Sequence, residues 1–594
     1  MITSSRSQRS ALIKMRAMVA MGLLAAAPLC WCADRHSVAE CPSSVVGTVS
    51  VTCRKPAGWR FALALKDRRP GLEVLTLVVE SSDEGAVPPF DVRFSVPRKD
   101  LHHMWHPADA HFPCSWTIQK SSFSVNLPLR ANFDDSERNV LTFCVSDALH
   151  AIDFDTTIGY ADGNAHVVNF TASFFGEASA PMRRYETQIR LDARKVFWAE
   201  AVTDGSRWIS EASGRRPSVP PPAAYEPLYS SWYVFRQGIS QARMDTEIER
   251  AAALGMKTVI LDDGWQCERG DWKMDTEKFP DFRAQVEKAH RLGMKYLLWL
   301  AVPHVTTNSP AFRRFQGKFL ADRPSGGGIR VLDPRYPEIR DHLVGRLRDL
   351  LVEYGLDGFK LDFIDEFVAA KDDSAARNGF EGCDIKGVPE AAERLLRDIH
   401  AAIIKERSDA LVEFRQHYIG PVIRQYGNIL RATDCPGDFS ANRSRTLALR
   451  ILAPESAVHS DMLLWRSDDT VAELKRQVWN SMFATVQYSA WLEGLPPDHL
   501  AAVRETISFL KEHRETLQRG TLKPHRPELG CPWVEAESTR ERIVAVYDPD
   551  CVVPVPDRGR PTIVVNATTA TSLVIDVGGK LNRVDIEPSG MREF

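Results

Sequence analysis

Residues 244–265 read MDTEIERAAALGMKTVILDDGW, and this stretch decides the fold. Residues 244–254 have helical spacing, Gly255 follows, and residues 257–261 (KTVIL) form a short apolar run of the kind that makes a buried strand. A glycine just past the last helical turn suits the left-handed residue that closes a helix. The unit recurs: residues 282–292 lead through Gly293 to 295–301 (KYLLWLA), and residues 339–354 lead through Gly355 to 358–361. Helices alternating with wholly apolar strands predict parallel βα units whose sheet is covered on both faces. Further strands are expected at 411–415, 429–433, 462–465 and 485–491. Counted from 228–232, about eight strands fit before residue 515, which predicts a closed (β/α)8 TIM barrel rather than an open sheet.

On either side of the barrel the pattern changes. Runs such as 72–80 (LEVLTLVVE), 90–96 and 166–174 cluster β-branched and aromatic residues between Gly, Pro, Asn and Asp. They predict an N-terminal β-sandwich domain over 34–216. The proline-rich 217–227 (PSVPPPAAYEP) reads as a semi-rigid linker, and the barrel as 228–515. Strand runs at 542–547, 562–565 and 571–577 predict a small C-terminal β-domain over 520–594. The class is therefore α/β, with a β-rich domain at each end of the barrel.

At the start of the chain, Arg6, Arg9, Lys14 and Arg16 precede the apolar run 18–29 (MVAMGLLAAAPL). A basic segment before a run too short to span a bilayer reads as a signal peptide over 1–33. The protein is expected to be exported, periplasmic or extracellular, with lipid attachment at Cys30 or Cys32 as the alternative. No later run is long and apolar enough for a membrane helix. A net charge of −3 gives no basic excess for nucleic acid. Of the 11 Cys, Cys41 with Cys53 and Cys114 with Cys144 are candidates for pairing in an oxidising compartment, though spacing alone does not fix the pairs. No Cys/His cluster has zinc spacing, so neither metal nor cofactor is implied. The 14 Trp suit stacking on sugars, although core packing uses many.

A barrel of this kind carries its site at the C-terminal ends of the strands. Strand two ends in Asp262, Asp263, Gly264 and Trp265, and strand three carries Trp299. Strand four reads Lys360, Leu361, Asp362; strand five ends Glu413, Phe414, Arg415, Gln416, His417; strand six ends Arg431, Ala432, Thr433, Asp434. Four strands thus deliver carboxylates to one rim. Two such carboxyls about 5–5.5 Å apart are what a retaining glycosidase needs, one as nucleophile and one as acid then base. Asp362 and Asp434 end strands two apart and can converge. Lys360 shares a strand face with Asp362 and favours its ionised form, whereas Asp434 needs a raised pKa to act as an acid. Taken singly, any of these residues also serves as a helix cap, an ion-pair brace (Glu413 with Arg415) or core packing (Trp299).

The ordered set LDDGW (261–265), GDW (270–272), KFP (278–280), GMKYLLW (293–299), GFKLDF (358–363) and LRATD (430–434) resembles glycoside hydrolase family 36, in the α-galactosidase clan. The resemblance runs over about residues 225–500, and the flanking β-rich parts are similar to that family's arrangement. It implies a retaining α-galactosidase with Asp362 as nucleophile and Asp434 as acid/base. It further implies Asp262 and Asp263 on the O4 and O6 of galactose, Lys360 as a sugar-binding lysine, and Arg431 reaching toward the 2-position and the acid/base. Trp299 and Trp265 would line the pocket, with Glu413 and Arg415 at its strand-five side. Two departures stand out. Relatives often have a second Asp directly after the acid/base; here Cys435 follows and Asp438 comes later, leaving Asp438 as an alternative acid. Where many relatives carry a Cys or Ser–Gly–Gly region on strand five, this chain has EFRQHY (413–418).

The expected partner is an oligosaccharide or polysaccharide with terminal α-linked galactose, with hydrolysis favoured over synthesis. The alternatives are a related α-glycosidase or transglycosidase (α-N-acetylgalactosaminidase or raffinose-synthase type), or a non-catalytic carbohydrate-binding barrel.

Overall fold

The computed structural model describes residues 36–107, 119–161, 165–177, 179–322, 328–369, 373–556 and 559–594. The expected signal peptide, with Cys30 and Cys32, lies outside the described residues, as does Cys114. Among them, no helix is long and apolar enough to cross a membrane.

Eight short parallel strands form the central sheet: β1 (Leu228–Ser230), β2 (Thr258–Leu261), β3 (Lys295–Ala301), β4 (Gly358–Asp362), β5 (Leu411–Arg415), β6 (Ile429–Arg431), β7 (Ala457–His459) and β8 (Gln487–Tyr488). They pair in sequence order from β1 to β7, and β8 pairs with β1. Parallel bridges His459↔Thr485 and Leu463↔Tyr488 join β7 to the β8 run, closing the ring. The expected (β/α)8 barrel is therefore the fold of the chain's centre.

The glycines expected to close helices do so: Gly255 and Gly355 are left-handed caps at φ 95° and 68°, and Gly293 has φ 73°. One further glycine makes the barrel possible. Gly358 opens β4 at φ 153°, and a Cβ there would lie 1.8 Å from the Leu411 carbonyl oxygen of β5. Only a residue without a side chain lets these two strands pair.

Before the barrel, the described residues form two six-stranded antiparallel sheets with a shared core. Val51, Val92, Phe94 and Phe170 of one sheet meet Leu75, Leu77, Phe143 and Ile189 of the other. Phe94 and Phe143 touch edge to face at 5.0 Å between ring centres. The cysteine pairing entertained for this region is not made. Cys41 stands opposite Val49 and Cys53 opposite His36 in one hairpin, so register separates them, and Cys41, Cys53 and Cys144 are free thiols.

The helix Trp198–Ala212 joins these sheets to the barrel. Gly205 lets it sit against the second sheet, because a Cβ there would meet Cys144 Sγ and Leu129 Cδ1 at 2.8 Å. Its outer face bonds to the barrel helix Phe439–Leu452: Thr203 Oγ1 donates to the Ile451 carbonyl at 2.8 Å, and Ser206 Oγ donates to that of Leu452. Arg424, buried, donates to Ser206, Ser210 and the Leu452 carbonyl from the barrel side. After the barrel, strands between Thr521 and Glu593 make a five-stranded and a three-stranded sheet around Val544, Val553, Val564 and Ile575.

Candidate active site

The strand-end residues come together at the C-terminal mouth of the barrel, each held by a neighbouring strand. Asp362 ends β4, and its buried carboxylate takes four donors. Oδ1 accepts from Arg415 Nε at 2.6 Å, Tyr418 OH at 3.0 Å and the Phe363 amide at 2.8 Å, while Oδ2, among the described residues, accepts only from Trp299 Nε1 at 3.0 Å. Burial alone would raise its pKa; the charges of Arg415 and Lys360 and these hydrogen bonds outweigh it and hold the carboxyl well below the usual carboxylate range. One oxygen is pinned and the other keeps a free lone pair, the arrangement an attacking carboxylate requires.

Lys360, two residues earlier on the same strand face, sends its ammonium to Asp262 Oδ2 at 2.6 Å. Its hydrogen bond thus goes to β2, while its charge still favours ionised Asp362. Asp262 is buried, and burial raises its pKa despite Lys360. Asp263 turns into the loop after β2, where Gln237, Arg269 and Gln266 donate to it at 2.8, 2.9 and 2.6 Å. Arg269 also lies 5.3 Å over the Trp299 ring and contacts His304, which in turn reaches Glu366 at 2.8 Å. Trp265 is fully buried behind Trp299, donating its Nε1 to the Trp299 carbonyl at 2.9 Å, so it touches the mouth only through that residue.

On the opposite side, Asp434 follows β6. Its side chain is 48% exposed and receives Arg431 Nη2 at 2.8 Å. Burial and ionised Asp362 raise its pKa, but the charge of Arg431, then that of Lys360, brings it below the ordinary value, so the raised pKa expected of an acid is not found in the free site. Arg431 is buried and also binds Asp461 at the end of β7; Asp461 Oδ2 accepts from Tyr233 OH at 2.9 Å and from the Cys435 amide at 2.6 Å. Glu413 lies deeper in the barrel, fully buried, with Gln487 Nε2 at 2.6 Å, His459 at 3.5 Å and Arg431 Nε at 3.7 Å. It braces strands rather than facing the mouth, and its partner is not Arg415. Asp438 caps the helix Phe439–Leu452, accepting the Ala441 amide at 2.9 Å.

Three residues at the mouth escape a reading confined to strand ends. Tyr418 ends the EFRQHY stretch, Asp461 ends β7, and Tyr233 lies just past β1. None carried a usable signal: Asp461 stands before the strand expected at 462–465, and only the observed β7, Ala457–His459, puts it after a strand end. Among the described residues, no group of three or more His, Cys, Asp or Glu is placed to hold a metal ion.

With this geometry in hand, the chain can be set beside known proteins. The melibiase family model matches residues 228–379, β1 to beyond β4. Over those residues the barrel is similar to the melibiase family. The chain is 31% identical over 147 residues to alpha-galactosidase 2 of Pediococcus pentosaceus, covering 23% of this chain and 20% of that protein. It is 32% identical over 134 residues to the alpha-galactosidase of Escherichia coli, covering 20% and 19%. The chain therefore spans about a fifth of the length of the curated relatives it matches. The fold extends further. The barrel and its flanking sheets superpose on the GH36 alpha-galactosidase AgaA of Geobacillus stearothermophilus with a TM-score of 0.62 at 14% identity, covering 93% of this chain and 82% of that one. Other structures of AgaA variants hold raffinose and stachyose.

Proposed function

We propose that this chain is an exported retaining α-galactosidase acting on terminal α-linked galactose through Asp362 and Asp434. The observation that carries the reading is the contrast between the two carboxyls at one mouth. Asp362 is buried, held by four donors and kept ionised, which suits a nucleophile. Asp434 is half exposed and anchored by Arg431 alone, which suits a group that trades protons with a leaving oxygen and with water. Asp438, as a helix cap, is already engaged in holding backbone and is not assigned the acid.

In the first step Asp362 Oδ2 attacks the anomeric carbon while Asp434 protonates the departing oxygen, giving a covalent glycosyl-enzyme. Esterifying Asp362 removes the negative charge that raises the Asp434 pKa. Asp434, having given its proton to the leaving oxygen, therefore stays a carboxylate and takes a proton from the water that attacks the anomeric carbon, which breaks the bond to Asp362. The second step returns the sugar with its α configuration. Lys360 and Asp262 present a charged pair to the sugar hydroxyls, and Trp299 supplies the apolar wall beside Asp362.

The test is release of nitrophenol from a nitrophenyl α-galactoside by the wild type, Asp362→Ala and Asp434→Ala. Asp362→Ala should lose several orders of magnitude and be partly rescued by azide as the β-galactosyl azide. Asp434→Ala should be rescued as the α-galactosyl azide. Absence of wild-type turnover on galactosides, with turnover of N-acetylgalactosaminides or other α-glycosides, would transfer the site to that substrate. Export is tested by fractionation: protein retained in the cytoplasm at full length would remove it from the proposal.

A further inference from the structure

The loops after β1, β7 and β8 line an open groove of about 560 Å3, with Tyr233, Leu464, Trp465, Arg466, Asp468 and Trp491 on its walls. Its size falls within the range of roughly 300–1,000 Å3 typical of small-molecule clefts. We propose that this groove seats the sugar on the leaving-group side of the scissile bond, with the Trp491 indole as its stacking platform. The inference rests on the galactosidase reading and assigns the part of the substrate that the Asp362 pocket does not hold.

Three observations carry it. First, Trp491 is 53% exposed, although large aromatic side chains ordinarily bury most of their surface. Its ring is backed by Gly494, where a Cβ would lie 2.5–2.9 Å from three atoms of the indole. A glycine there leaves room for the ring, which stands at the edge of the groove and forms part of its wall. Second, the groove is tied to the acid side of the site by a chain of hydrogen bonds. Tyr233 forms its wall and hydrogen-bonds Asp461, which binds Arg431, which binds Asp434. The Tyr233 amide also donates to Ser489 Oγ at 3.0 Å, tying the β1 loop to the end of β8 just before Trp491. On this assignment a leaving group that departs Asp434 on the side of β7, β8 and β1 meets the Tyr233 wall of this groove. Third, the polar lining is balanced: Arg466 and Asp468 pair at 2.8 Å on the exposed loop after β7. An aromatic platform beside a neutral, hydrogen-bonding edge matches the apolar face and hydroxyl rim of an uncharged sugar, not an anion.

The experiment compares stachyose with α-galactosyl fluoride, whose leaving group has no ring to stack. Trp491→Ala should lower kcat/KM for stachyose about tenfold, the scale of one lost apolar pocket contact, and leave the fluoride unchanged. Gly494→Ala should do the same by displacing the ring, and Trp491→Tyr should restore part of the loss. Calorimetric titration of stachyose into Asp362→Ala protein, with and without Trp491→Ala, reads the same contact without turnover. No turnover of the fluoride by the wild type would overturn the galactosidase reading and leave the titration to decide the groove. Equal stachyose affinity with and without Trp491 would overturn the groove assignment. So would a self-association, seen by sedimentation, that Trp491→Ala abolishes, since the groove would then hold a second copy.

Discussion

Arg415→Met tests how Asp362 is kept ionised. The methionine retains an unbranched apolar stem between Phe363 and Tyr418, over which the guanidinium now lies at 5.5 and 5.8 Å, and removes the charge and the 2.6 Å bond to Oδ1. A hydrogen bond to a charged group contributes about 1.5–3 kcal/mol, which is about a ten- to hundredfold change in the proton concentration that neutralises the carboxylate. The sign follows from the opposed causes. Burial raises the pKa of Asp362 and Arg415 is the foremost influence lowering it, so its loss moves the group upward. Activity needs Asp362 ionised and Asp434 protonated, so the productive window is bounded below by Asp362 and above by Asp434. In the variant the acid limb of kcat/KM should move to higher pH by that factor while the alkaline limb, set by Asp434 and Arg431, stays. The assay is the pH profile of kcat/KM for stachyose, whose sugar leaving group needs the acid. An unmoved acid limb, with activity reduced equally at every pH, would refute the claim that Arg415 acts through the charge on Asp362.

Three further outcomes are expected. Asp438→Ala should cost about 1 kcal/mol of stability as a lost helix cap, read by denaturant unfolding, and leave the azide-rescue pattern of Asp434 unchanged. Glu137→Gln should lower the melting temperature by weakening the joint in which His525 meets Glu137 at 2.8 Å and Glu535 at 3.5 Å; the ceiling is the about 3–5 kcal/mol of a broken buried pair. Burial lowers the His525 pKa but these carboxylates raise it overall, so the stabilisation is full below the ordinary histidine value and the gap between wild type and variant should shrink as pH rises past it. Gly358→Ala should prevent β4 and β5 from pairing, read as loss of soluble protein or of near-ultraviolet circular dichroism.

The barrel was legible where strands are apolar and bounded by glycine: β3 and β5 fall where the sequence places them. It was least legible at β7, expected at 462–465 but formed by Ala457–His459. Met462, Leu463 and Trp465 are buried in the loop beyond the strand, and a short apolar run does not reveal whether it is buried as strand or as loop. The helix Trp198–Ala212 left little trace because it contains Gly205, Thr203 and two serines, poor helix formers that here make its contacts. At the site, charge on strand ends gave Asp262, Lys360, Asp362, Arg431 and Asp434 their positions. The partners did not follow from it, because Gln237, Arg269 and Tyr418 come from loops whose direction no periodicity encodes.

The helix that joins the N-terminal sheets to the barrel has a consequence for how the chain can change over time. Ser206 and Ser210 supply acceptors to the buried guanidinium of Arg424, whose pKa burial pushes down to about 10, and Ser206 also holds the far end of the helix that Asp438 begins. Deleting the sheets would strand that cation and loosen the segment that follows Asp434. The N-terminal sheets are thus not an interchangeable attachment: recombination that separates them from the barrel is disfavoured, and the two are constrained to be inherited together.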